Sequence, residues 1–235
     1  MRIPRFPNTP HLPGSKILDL TDVHADQELL DAVQHAISQG TILWEEKVDG
    51  ANIGLHFDGD RGDLTLRNRE NHLKKGYLKN TPAKLQFRPL WNWIYANKEK
   101  FSNLTKLCQG ETPFVYAEWL YAWHTVPYDA LPDLMIPFDL VLEDKFVDPF
   151  RARALLEEAG FTVAPRLNVP DLGSIPDWAN QPTPFSTQGI IREGVYGKMG
   201  DGVWLTGRVK HVRESFQSRK DFNTTGLTRN QVSSK

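Results

Sequence analysis

Lys47 lies in the run Glu45-Glu46-Lys47-Val48-Asp49-Gly50-Ala51-Asn52, flanked by acids and followed at once by a turn dipeptide. A lysine amine attacks phosphorus or carbonyl carbon only when uncharged, and with a pKa near 10.4 only ~0.04% of it is neutral at pH 7. Nearby cations or a metal lower that pKa, whereas Glu46 and Asp49 raise it. A nucleophilic Lys47 therefore requires positive charge supplied from elsewhere in the chain. The same eight residues also read as an ordinary hairpin lysine before an Asp-Gly turn.

The elements around this lysine follow from local pattern. Asp26 to Gln39 is expected to be a helix, with Asp26 as N-cap, Leu29, Leu30, Val33 and Ile37 as its apolar stripe, and Gly40 as terminator. Ile42 to Lys47 reads as a strand that ends on the lysine, Asp49-Gly50 as a turn, and Asn52 to Phe57 as the next strand. The tip Asp58 to Asp63 leads into a third strand, Leu64 to Arg69. A helix is expected over Pro89 to Phe101, with Trp91, Ile94 and Tyr95 on one side. Val115 to Leu120 and Ile136 to Leu142 read as buried strands. Asp148-Pro149 starts a helix that Gly160 ends. Trp119, Tyr121 and Trp123 alternate as in a half-buried strand. Gly189 to Lys198 and Gly202 to Lys210 read as strands, and a polar tail follows from about Ser215. Hairpins with scattered helices imply an α+β fold of antiparallel sheets, not a βαβ array.

The chain has 235 residues, 40% of them hydrophobic and 24% charged, which excludes a disordered protein and permits a substantial core. Its formal net charge of −1 excludes a globally basic binder. The charge is nevertheless unevenly placed. Leu64 to Lys100 carries Arg67, Arg69, Lys74, Lys75, Lys79, Lys84, Arg88, Lys98 and Lys100 against Glu70 and Glu99. The stretch from Arg208 onward is also basic, and Asp129 to Gln181 is acidic. The basic stretches could track a polyanion, or form solvated faces. Cys108 is the lone cysteine, so an internal disulfide is excluded and a reducing, cytoplasmic setting is expected. No apolar run reaches membrane-spanning length, and the proline-rich opening does not read as a signal peptide.

Lys47-Val48-Asp49-Gly50-Ala51-Asn52 resembles motif I of the covalent nucleotidyltransferases, which include ATP-dependent RNA ligases, DNA ligases and mRNA capping enzymes. The family's other motifs follow in order. Arg67-Asn68-Arg69 resembles motif Ia, with Arg69 favoured as the contact to sugar and phosphate. Val115 to Trp119 resembles motif III and carries Glu118. Pro137 to Val141 resembles motif IIIa, whose Phe138 would stack on the base. Glu193 to Lys198 matches the E-G-x-x-x-K form of motif IV, and Arg208-Val209-Lys210 falls where motif V has K-x-K, with a planar guanidinium at its first position. The opening Phe6 to Ser15 and the stretch Glu118 to Pro132 resemble compact bacterial and phage RNA ligases close to the type 2 group. The resemblance implies a nucleotidyltransferase (ATP-grasp-like) domain over residues 1–214, without an OB-fold, followed by a polar tail over 215–235.

That resemblance implies an ATP-dependent RNA ligase that joins 5′-phosphate and 3′-hydroxyl RNA ends through a lysyl-AMP intermediate. Lys47 would be the nucleophile, assisted by Asp49, Arg208 and Lys210. Glu46, Asn52, Arg69, Glu118, Phe138, Glu193, Lys198 and Lys210 would hold the nucleotide. Glu118 and Glu193 would hold Mg²⁺ or Mn²⁺. Arg88, Lys74 and Lys75 are candidates for RNA phosphate, His124 and Tyr128 are polar groups beside motif III without an assigned role, and an end-healing kinase or phosphatase is a candidate partner. Rival readings are a DNA ligase, a capping guanylyltransferase, and a non-catalytic nucleotide- or RNA-binding module or subunit.

Overall fold

The computed structural model describes residues 5–17, 20–69, 71–74, 85–217 and 227–233. Helix α1, Gln27–Gln39, starts where the Asp26 carboxylate accepts a hydrogen bond from Leu29 N, and stops where Gly40 adopts φ 67°. Strand β1, Ile42–Lys47, follows, then β2, Ala51–Asp58, and β3, Asp63–Asn68. The β2–β3 turn is held by Asp58 Oδ1, which accepts from the backbone N–H groups of Asp60 and Arg61.

The helix expected over Pro89 to Phe101 is instead two, α2, Arg88–Ala96, and α3, Lys98–Leu107, broken where Asn97 leaves helical geometry. Trp91 and Ile94 are buried as expected, but Tyr95 is 43% exposed and meets Phe57 edge-on. Strands β4, Phe114–Trp119, β5, Met135–Leu142, and β6, Lys145–Phe146, come next. Strand β4 ends at Trp119, so Tyr121 and Trp123 lie in the following loop, not in an extended strand. Helix α4, Pro149–Glu158, is capped by Asp148, whose other oxygen accepts from Gly202 N and so ties this helix to a neighbouring turn. Short β7, Arg166–Leu167, and helix α5, Ile175–Ala179, precede β8, Gly194–Gly200, and β9, Leu205–Val212. Both last strands begin later than expected; Gly202, at φ 93°, belongs to the turn between them.

Two antiparallel sheets result. One has the order β7-β1-β8-β9 and the other β3-β2-β4-β5-β6. The first packs on α1 and α5 through Trp44, Val33, Ile175 and Met199. The second packs on α2, α3 and α4 through Ile53, Leu55, Leu90, Phe101 and Leu156. The chain passes from one sheet to the other only three residues after Lys47, across Val48-Asp49-Gly50. The α+β reading with antiparallel sheets and flanking helices therefore holds. No described helix is long and apolar enough to cross a membrane.

The polar tail is partly built into the fold. Residues 227–233 run back along the loop after β4: Trp123 N donates to Thr228 O, Leu131 N to Gln231 O and Ser233 N to Leu131 O. Asn230 is buried, its amide donating to Leu120 O and Ala122 O while its oxygen accepts from Tyr128 N.

Candidate functional site

A cleft of about 760 Å³, counting its open mouth, separates the two sheets. Strand register decides what faces it. Glu45 is paired with Tyr196, and Tyr196 with Lys210, so these three form one row across β1, β8 and β9. Asn52 is paired with Glu118 across β2 and β4 on the other sheet. Cross-strand partners share a face, and all five residues line the cleft with Glu46, Lys47, Arg69 and Phe138.

Lys47 ends β1, and its Nζ lies 2.6 Å from Glu193 Oε1. Glu193 precedes β8, where Gly194 is paired with Lys47. Only glycine fits at 194, because a Cβ there would lie 2.0 Å from His211 O. Burial lowers the Lys47 pKa, but the carboxylates of Glu193 and Glu118 outweigh it and hold the amine charged, above its usual value. Burial raises the Glu193 carboxyl and pushes Glu118 up to about 8, with Lys47 opposing both. Burial likewise pushes Glu46 up to about 7. Glu118 Oε2 and Glu193 Oε2 are buried without a hydrogen-bond partner among the described residues. Such oxygens suit a cation. No group of three His, Cys, Asp or Glu side chains with metal spacing occurs among the described residues, so a bound ion would draw its remaining ligands from water or a bound phosphate.

Asp49 stands near enough to Lys47 for their charges to act on each other, but its carboxylate is bonded away from the cleft. Its Oδ2 accepts from Thr125 N and Val126 N, both at 2.7 Å, and its backbone N donates to Tyr128 OH at 2.8 Å. It clasps the loop after β4 and does not line the cleft. Gly50 is required by the same close approach: a Cβ there would lie 2.6 Å from Leu120 Cδ2 and 2.9 Å from Trp119 O. Tyr128 is thereby a support of the turn that carries the lysine.

Lys198 and Arg208 also depart from expectation. They are paired with each other in the row that contains Leu43, on the same face as Lys47 but four residues along β1. That is roughly 13 Å away at strand rise. Lys198 Nζ lies 2.7 Å from Glu45 Oε2 and 3.4 Å from Asp139 Oδ1, and is 1% exposed. Arg208 is sandwiched between the rings of Phe6 and Phe146, at 4.7 and 4.1 Å. The two cations floor the aromatic end of the cleft and do not surround Lys47.

Lys210 does face the cleft, its Nζ 3.0 Å from Asp22 Oδ1. Burial and the nearby charge of Lys47 lower its pKa, against the pull of Asp22. Arg69 lines the cleft, with Nη2 3.3 Å from Asn8 Oδ1, while buried Arg67 donates to the carbonyls of Asn68 and Arg69 and so shapes that bend. Arg213 stands close enough to Glu193 and Asp49 for their charges to act on it. Lys74 and Arg88 do not line this cleft, and Lys75 lies outside the described residues. The sequence reading missed Phe6, Thr9 and Tyr196. Phe6 packs edge-on against Phe138 at 5.4 Å, Tyr196 lies 6.3 Å from Phe138, and Tyr196 OH is 3.2 Å from Thr9 Oγ1. The run around Phe6 was singled out as a signature, but nothing in it shows that the N-terminus folds over β5.

The arrangement is an amine beside two buried carboxylates, in a cleft also lined by an aromatic recess and by Lys210 and Arg69. It can hold a purine in the recess and its phosphates over the amine. The family model for RNA ligase matches residues 40–212. Among solved structures, a Naegleria gruberi RNA ligase variant with ATP and Mn is similar, at 16% identity and TM-score 0.51, over 88% of this chain and 60% of that one. A second variant of that ligase with ATP and Mn gives 17% identity, TM-score 0.52 and coverage of 92% and 62%. The same ligase with PPi gives 17%, 0.51, and 91% and 62%. This chain thus spans about three fifths of the length of those ligases. No curated protein matches it by sequence.

Proposed function

The chain belongs to the RNA ligase family, and from that premise we propose that it seals RNA 5′-phosphate and 3′-hydroxyl ends with ATP, through a lysyl-AMP intermediate. The observation that carries the reading is Lys47 Nζ, held against Glu193 at the floor of a cleft that Phe6, Phe138 and Tyr196 close at one end. In the first step the Lys47 amine, having given up a proton, bonds to the α-phosphorus as the bond to pyrophosphate breaks. In the second, an oxygen of the RNA 5′-phosphate takes the AMP and releases Lys47. In the third, the 3′-hydroxyl bonds to the RNA 5′-phosphorus and AMP leaves. RNA with other termini would first need an end-healing kinase or phosphatase.

Lys210 and Arg69 offset phosphate charge, and Phe138 with Phe6 offers an apolar face to adenine. Glu193 holds Lys47 in line and is its nearest proton acceptor. Glu118 and Glu193 would hold Mg²⁺ or Mn²⁺, which when bound supplies the positive charge that frees the amine and stabilises the departing pyrophosphate. Asn52 and Glu46 stand at the cleft wall where base and sugar would lie. Incubation with α-labelled ATP and Mg²⁺ is expected to leave acid-labile label on the protein and none on Lys47→Ala. Label from GTP in place of ATP would select the capping chemistry, and no label with either nucleotide overturns the reading.

A further inference from the structure

By resemblance Arg208 would assist Lys47, yet it does not line the cleft. It is 7% exposed, and its guanidinium lies over two rings, 4.7 Å from the centroid of Phe6 and 4.1 Å from that of Phe146. Its Nη2 stands 3.6 Å from Asp139 Oδ2. Covered by rings and paired with a carboxylate, this cation is not presented to a phosphate. Its partner Phe6, in contrast, does line the cleft.

Phe6 belongs to a segment that crosses from one sheet to the other. At one end His11 bridges to Lys210 alongside β9, where Lys210 N donates to Pro10 O and Leu12 N to Lys210 O, both at 2.9 Å. Thr9 Oγ1 meets Tyr196 OH of β8. At the other end Phe6 packs on Tyr116, Phe138 and Phe146 of the second sheet, at centroid distances of 5.0, 5.4 and 5.9 Å. Between the two, Asn8 Oδ1 accepts from Arg69, just past β3. Pro7 and Pro10 fix φ at two of these positions, so the segment loses less freedom in holding this path.

The attachment to the first sheet is made by backbone hydrogen bonds, and that to the second largely by the Phe6 ring. Arg208 joins the two. It rises from β9 of the first sheet and stacks on Phe6 and on Phe146 of β6 at once. The Phe6 ring is thereby held edge-on to Phe138, at 90°, in the recess where a base would lie. A guanidinium suits this place because its flat face matches the rings; a lysine there keeps the charge and loses the planar stack.

We propose that residues 6–9 form a strap closing the base end of the cleft, and that Arg208 is a positioning residue that clamps it. Arg208 then governs how the nucleoside is held, not how the phosphates are. The proposal rests on the RNA ligase reading of this cleft, and its test separates the two. Wild type, Arg208→Lys and Phe6→Leu are compared by calorimetry in binding adenosine, which carries no phosphate, and pyrophosphate with Mg²⁺. Labelling by ATP gives the KM and the saturating rate of self-adenylylation. In both variants adenosine affinity is expected to fall, and KM for ATP to rise, about tenfold. Pyrophosphate affinity and the saturating rate are expected to stay within about twofold, the signature of lost uniform binding. The double variant is expected to show about tenfold, not hundredfold, because both changes break one contact. Where the buried Arg208→Lys fails to fold, Phe6→Leu, at a partly exposed ring, still decides. Weakened pyrophosphate binding with unchanged adenosine binding in Arg208→Lys makes it a phosphate ligand and overturns the proposal. Wild-type adenosine binding in Phe6→Leu overturns it too, as does a wild type that binds no adenosine. A wild type that binds adenosine through the strap but takes no AMP upholds the strap and overturns the ligase chemistry.

Discussion

Asp49 shows how a residue can stand in a reactive motif and act through its neighbours. Its carboxylate closes two backbone amides of the loop after β4, and its own amide is held by Tyr128. Asp49→Asn keeps an acceptor oxygen for both amides, so self-adenylylation is expected to persist within about tenfold, a barrier change near 1.4 kcal/mol. Asp49→Ala leaves both amides unpaired, at a cost of roughly 2–4 kcal/mol, and is expected to lower the melting temperature and the labelling together. If Asp49→Asn instead folds normally and loses all labelling, the carboxylate takes part in the chemistry directly. The types and order of such residues were legible in the chain; their depth was not. Lys198 and Arg208 lie on the expected sheet face, yet two rows beyond Lys47, where Glu45, Asp139 and Phe146 take them up. Alternation along a strand reports the face of a side chain and is silent on what covers that face.

Among the elements, β8 has the least room for change. It lies between β1 and β9, and Gly194 at its start touches the backbone of His211. Gly194→Ala is expected to push β9 away, at about 3 kcal/mol or more, and to displace Glu193 from Lys47. Thermal unfolding and labelling should both suffer; a variant with wild-type stability would show that the ladder relaxes cheaply. Elements with local signals were legible: the Asp26 cap and Gly40 stop of α1, and Asp148-Pro149 before α4. The β8 and β9 boundaries were not, because Gly189 and Gly202 turn the chain where a run of small and apolar residues suggests extension. The break at Asn97 was hidden too, since the apolar spacing continues through it.

At the scale of the whole molecule, tertiary contacts made far apart in the chain govern its response to acid. His11 is buried against Asp22 and Ser15, and burial with the nearby Lys210 lowers its pKa to about 4; burial likewise takes His124 to about 4. The unfolded chain protonates these rings near 6.5, so it binds protons that the folded protein refuses. Their contribution is complete above pH 6.5 and is lost as pH falls toward 4, on the order of 3 kcal/mol for His11. Glu46 and Glu118, raised to about 7 and 8, act in the opposite sense over the same range. The measurement is therefore a difference: between pH 7 and pH 5, the fall in melting temperature is expected to be smaller in His11→Gln than in the wild type. An identical fall would mean that the ring is protonated in place. None of this was legible, because His11, Asp22 and Lys210 meet only when the first and last thirds of the chain close over each other. The anchoring by Asn230 has the same origin, and it orders events during synthesis. A nascent chain carries Lys47 long before ribosomes have released residue 230, so the turn bearing that amine gains its last support only after nearly everything else has been translated.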